Sequence, residues 1–162
     1  MKAETIHKYE KAVVFVLNLD GWDLEWTGEK YEHYDAKGKT PKGHDCVIEM
    51  KFRNKYYEDK LLEKYKYDKL MTLDSKIVKL YFVADPKGNY MFWLNNIDVE
   101  QYNNSVYAPV TTLWKNNKTN KDVYLLPESE SSITNIYLEE EQEESIWKEY
   151  FEKREKNTNR FL

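Results

Sequence analysis

Ile6, Tyr9, Val13, Val14 and Leu17 recur at spacings of three and four with polar residues between them, which predicts an amphipathic helix over residues 2–18. Asn18-Leu19-Asp20-Gly21 supplies its stop. Residues 29–35 alternate around Tyr31 and Tyr34 and read as a strand. Lys37-Gly38-Lys39-Thr40-Pro41-Lys42-Gly43 reads as a turn-rich loop, and residues 45–53 as a second strand that closes a hairpin. A helical stripe follows over 56–73, carried by Tyr57, Leu61, Leu62, Tyr65, Leu70 and Leu73. Residues 77–84 form a strongly apolar strand, Asp85-Pro86-Lys87-Gly88 a turn, and 90–94 the returning strand. A short helix is predicted at 98–102, and an Asn- and Thr-rich loop at 103–120 in which Tyr107 to Trp114 could hold a short strand. One more strand is predicted at 122–126. Residues 138–157 read as a helix with Ile146, Trp147, Tyr150 and Phe151 on one face. Its glutamates gather at the start and its Lys and Arg at the end, which suits the helix dipole.

No repeat or linker divides the chain. Its 162 residues suit one domain, with 1–127 as the body and 128–162 as an acidic helical extension of it. Aromatics at 15% and hydrophobics at 41% exclude wholesale disorder. The longest apolar run, Ala12–Leu17, is far too short to span a bilayer, so no membrane partner is expected. One cysteine, Cys46, and no leader-like N-terminus make a reducing cytoplasm the expected compartment. The formal net charge of -4 argues at first against nucleic acid. It is unevenly spread: 5 Lys/Arg and 10 Glu lie after Pro127, which leaves 20 basic and 19 acidic residues before it. Residues 30–69 hold 11 basic and 8 acidic residues, so the acidity belongs mainly to the C-terminal segment.

The strand at 45–53 changes the picture most. Acid-x-Lys occurs five times in the chain, but Glu49-Met50-Lys51 sits in the middle of an apolar strand. Residues at i and i+2 of a strand project together, so Glu49 and Lys51 share a face. A hairpin brings Asp35 back beside Glu49 if the register allows. Two close carboxylates repel unless a cation lies between them, and a few hard oxygen ligands suit Mg²⁺ or Mn²⁺. A cross-strand ion-pair ladder on a solvated sheet face would give the same spacing.

Tyr34-Asp35-Ala36 … Cys46-Val47-Ile48-Glu49-Met50-Lys51-Phe52-Arg53, followed by a Lys- and Tyr-rich helix, resembles the PD-(D/E)XK nuclease superfamily, and within it the small phage-type or Holliday-junction-resolvase-like members. The resemblance covers roughly residues 5–95, and Tyr34 stands where the motif has Pro. It implies an α/β fold with a restriction-endonuclease-like α-β-β-β-α-β core, whose mixed, mostly antiparallel sheet is flanked by helices; the C-terminal helix is added to that core. It implies a magnesium-dependent deoxyribonuclease in which Asp35, Glu49 and Lys51 are catalytic. Asp35, Glu49 and the Met50 carbonyl would hold the metal, with Glu10 as the third acid, and Lys51 would orient the attacking water. DNA phosphates would meet Arg53, Lys60 and Lys64, and also Lys39 at the basic hairpin tip; each of these lysines also reads simply as a solvated charge.

Two other classes share these features. One is the same fold kept as a nucleic-acid- or protein-binding module without turnover. The other is an assembly protein, a homodimer through helix 138–157. Other motifs fail. Gly38-Lys39-Thr40 imitates the end of a P-loop, but His33 stands where its first Gly should be. His7, His33 and His44 have no zinc-ligand spacing.

Overall fold

A computed structural model of the protein describes residues 1–30, 32–109 and 117–136. The N-terminal periodicity produces helix α1 (Ala3–Leu19), whose inward stripe of Val13, Val14 and Leu17 packs on one sheet face. A glycine turn at Gly21 leads into β1 (Asp23–Trp26). β2 (Ala36–Lys39) and β3 (Asp45–Phe52) form the hairpin.

The hairpin is displaced from its expected place. Residues 32–35 precede the strand, and Lys37-Gly38-Lys39 lie inside it. The turn is confined to Thr40–His44, where Thr40 N donates to His44 O at 2.9 Å and Gly43 N to Thr40 O at 2.8 Å. Pairing decides the difference. β1, which the sequence pattern did not reveal, binds the outer edge of β2 and makes a strand of a glycine-bearing segment.

The predicted helix over 56–73 divides into β4 (Asp59–Glu63) and a shorter α2 (Lys64–Met71). Asp59–Glu63 pairs antiparallel with β8 (Lys118–Pro127), and that ladder outweighs the local helical stripe. β5 (Val78–Asp85) and β6 (Gly88–Trp93) form as expected, separated by a tight turn. Asn103–Pro109, expected as loop, is β7, paired with β8. After Pro127 comes a 3-10 turn and then β9 (Ile133–Ile136), which pairs with β6. The helix expected at 138–157 lies outside the described residues.

The main sheet runs β1-β2-β3-β5-β6-β9; β3 and β5 are parallel and the other neighbours antiparallel. In chain order α1, β1, β2, β3, α2 and β5 give the expected α-β-β-β-α-β succession, with β4 intervening before α2. The second sheet, β4-β8-β7, was not foreseen. It and α2 cover the face opposite α1, so β3 is enclosed on both sides. Cys46, Ile48 and Met50 pack with Val14 and Leu24 beneath α1. Val47 packs with Leu62, Leu70, Tyr81 and Tyr124 beneath α2 and the second sheet. Alternation then puts Glu49 and Lys51 on that second, covered face.

Candidate metal and catalytic centre

Asp35 is fixed by the backbone around it. Its N–H donates to Ile48 O at 2.9 Å, and its C=O accepts from Thr27 N at 2.8 Å. Its Oδ2 accepts from Met50 N at 2.7 Å. β2 pairs with β3 from Ala36↔Ile48 outward, so Asp35 stands just past the ladder, beside the Glu49-Met50 step. The strand repeat turns the Met50 C=O to the same edge as its N–H, toward Asp35.

Glu49 is 7% exposed. Its Oε1 is 2.9 Å from Lys66 Nζ, while Oε2 is buried and has no hydrogen-bond partner. Burial, then the Asp35 charge, pushes the Glu49 carboxyl up to about 7, against the pull of Lys66. Burial likewise pushes Asp35 up to about 6; the Met50 N–H pulls it down and Glu10 pushes it further up. Burial lowers the Lys51 ammonium from its ordinary value, and the neighbouring Arg53 charge lowers it further. Burial alone would also lower Lys66, but the Glu49 charge and hydrogen bond raise it overall. Two acids held next to each other, both disfavoured as anions and one with a free buried oxygen, form a site short of positive charge.

The sequence-derived residues fall into three groups. Asp35 meets Glu49 and Met50, and Lys51 lies on the face of β3 that carries Glu49. Glu10 approaches closely enough for its charge to raise Asp35, but its Oε2 accepts from Trp26 Nε1 at 2.8 Å. Gly28 closes over that pair, since a Cβ there would lie 2.7 Å from both Glu10 Oε2 and Trp26 Nε1. Among the described residues no group of three or more His, Cys, Asp or Glu side chains is placed to hold a metal ion. The protein donors available to a hard cation here would be two carboxylates and one carbonyl, a set that would leave room for water and a phosphate oxygen.

The phosphate contacts differ more from expectation. Lys60 is not on the surface: it is 2% exposed and donates to Tyr57 O at 2.6 Å, Asp85 Oδ2 at 2.7 Å and Glu128 Oε1 at 2.9 Å. Its ammonium also lies 4.0 Å from the Tyr90 ring centroid. That placement replaces the expected phosphate contact with a structural one. Lys64 lies 3.9 Å from Glu100, over the Tyr124 ring. Lys39 is exposed at the hairpin and pairs with Asp45 at 2.7 Å. Arg53 follows Lys51 on the same face of the chain, just beyond β3. Lys66 is the residue that sequence reasoning missed. It stands four positions before the fully buried Leu70, and that i,i+4 spacing places it on the inward face of α2.

No family model matches the sequence, and no curated protein matches it. The chain is similar in fold to a solved structure. That structure is Hjc, a Holliday junction resolvase from the archaeal hyperthermophile Archaeoglobus fulgidus, at 14% identity and a TM-score of 0.48 over 77% of this chain and 93% of that one. Among the described residues no helix is long and apolar enough to cross a membrane.

Proposed function

We propose that this chain is a metal-dependent nuclease that hydrolyses DNA phosphodiester bonds. The observation that carries the reading is the buried Asp35–Glu49 pair with Glu49 Oε2 left partnerless. A buried polar atom without a partner costs about 1–3 kcal/mol, and a structural ion pair would not leave one beside a second acid. Asp35, Glu49 and the Met50 carbonyl would hold Mg²⁺ or Mn²⁺. When bound, the cation supplies Lewis-acid stabilisation of charge on the phosphoryl oxygens.

The chain's own residues do the rest. Asp35 is locked by the Met50 N–H and can present its other oxygen. Lys51, on the same face and with its ammonium pKa lowered, is suited to orient a water and exchange a proton with it. Lys66 balances Glu49 from α2 and would also meet a phosphate brought to that pair. Arg53 extends the positive row along the chain.

The test offers supercoiled plasmid, linear duplex, single strands and a four-way junction with Mg²⁺, Mn²⁺ or EDTA. Wild type is expected to cut in metal and not in EDTA. Asp35→Asn and Lys51→Ala are expected to lose at least a hundredfold in rate while keeping the wild-type circular dichroism spectrum. Variants that cut as fast as wild type would remove the assignment, and DNA binding without cutting would favour the module without turnover.

A further inference from the structure

The inner face of β3 continues past Lys51 to Arg53, about 13 Å from Glu49 at the usual strand rise. There it meets a cleft lined by residues of both sheets. The cleft encloses about 370 Å³, within the range of small-ligand sites. Its walls are mainly apolar, with Val83, Val106 and Leu125 among them, and carry one exposed acid, Asp59, along with Arg53. Two tyrosines stand along it, Tyr57 at 55% and Tyr107 at 68% exposure, so both rings are open to a ligand. Lys60 and Asp85 also line it, but they are already paired, so they offer no unpaired charge to a ligand. The expected α-β-β-β-α-β succession includes neither β4, β7 nor β8, the strands that build most of this cleft.

We infer that this cleft receives an unpaired base of the DNA substrate, stacked on Tyr57 and Tyr107, with Arg53 at the rim holding the backbone of the same strand. The inference rests on the nuclease reading and adds to it a preference for DNA with unstacked nucleotides. The chemistry of the cleft selects the ligand. Aromatic rings beside an apolar wall favour a flat ring over a free anion, and cationic residues leading up to them favour a nucleotide over a neutral peptide. A base inside an intact duplex is stacked and cannot enter, so the nucleotide must come from an overhang, a flap or a branch point. With Arg53 about 13 Å from Glu49, the backbone contact lies a few nucleotides from the cleaved bond.

The experiment uses the full chain in EDTA, where the DNA stays whole. The probes are a blunt duplex and the same duplex with a short overhang carrying 2-aminopurine. Wild type is expected to bind the overhang duplex roughly tenfold more tightly and to change the 2-aminopurine fluorescence. In Tyr57→Ala/Tyr107→Ala both the preference and the fluorescence change are expected to vanish, and in Tyr57→Phe/Tyr107→Phe both survive. Melting curves check that each variant is folded. Equal binding of the two duplexes by wild type, or an unchanged preference in the alanine variant, overturns the subsite while leaving the nuclease reading in place. Failure to bind either duplex, with no metal-dependent cutting, overturns both.

Discussion

Glu49 shows what one residue can reveal about a site. A glutamate on a strand covered on both sides is costly, and here Lys66 compensates only one of its two oxygens. The consequence for pH dependence follows from sign. The carboxyls of Asp35 and Glu49 are raised to about 6 and about 7 in the folded protein, above their unfolded values. Folded protein therefore holds more protons than unfolded protein between about pH 4 and 7. The pair's contribution to stability is complete below about pH 4 and is lost as pH rises through the folded values. Glu49→Gln keeps the shape and removes the titrating charge. In metal-free protein it is expected to melt several degrees above wild type at pH 8, on the order of 2 kcal/mol, and to converge with it near pH 4.5. Thermal scans in EDTA across that range measure this, and parallel curves for the two proteins would contradict it.

Gly38 makes the corresponding argument for the elements that hold the site. A Cβ there would come within 1.9 Å of Asp23 O and 2.9 Å of Leu24 Cα, so β1 can lie against β2 only because this position has no side chain. β2 in turn begins next to Asp35. Gly38→Ala is expected to loosen β1 from β2 and cost roughly 2–3 kcal/mol in urea unfolding. An unchanged midpoint would show that the pairing tolerates the side chain. The same pair of strands shows what the sequence can and cannot disclose. α1, β3, β5 and β6 were legible because each carries its own periodicity, and the alternation in β3 placed Glu49 and Lys51 on one face correctly. β1, β4, β7 and β9 were not, because short or polar segments become strands only through their partners. Leu61 and Leu62 fit a helical stripe as well as a strand, and the ladder to β8 settles the choice. Lys66 reads as a solvated lysine until α2 is placed over β3. Lys60 reads the same way until the second sheet closes over it.

That second sheet makes Lys60 a property of the whole molecule. From β4 it joins Asp85 at the end of β5 to Glu128 beyond β8, against the ring of Tyr90 on β6. Removing one partner of a buried pair leaves the other charge uncompensated, so Lys60→Met is expected to lose about 3–5 kcal/mol in urea unfolding. Adding Asp85→Asn removes the stranded charge but keeps an amide oxygen for the 85–88 turn. Much of the loss should then return, and a purely additive double-mutant cycle would contradict the pairing. The charge distribution acts at this scale too. The body before Pro127 is nearly balanced, with 20 basic and 19 acidic residues. Any DNA affinity should therefore be modest and fall with added salt, reflecting the few cations around the site.

All of these scales meet in one claim, that Asp35 and Glu49 form a cation site and not an ion-pair ladder. Isothermal titration of the metal-free protein with Mg²⁺ tests it without any need to know the right DNA substrate. Wild type is expected to bind the ion and to melt higher in its presence, whereas Asp35→Asn and Glu49→Gln are expected to show neither effect. Absence of binding by wild type, or equal binding by both variants, would contradict the account.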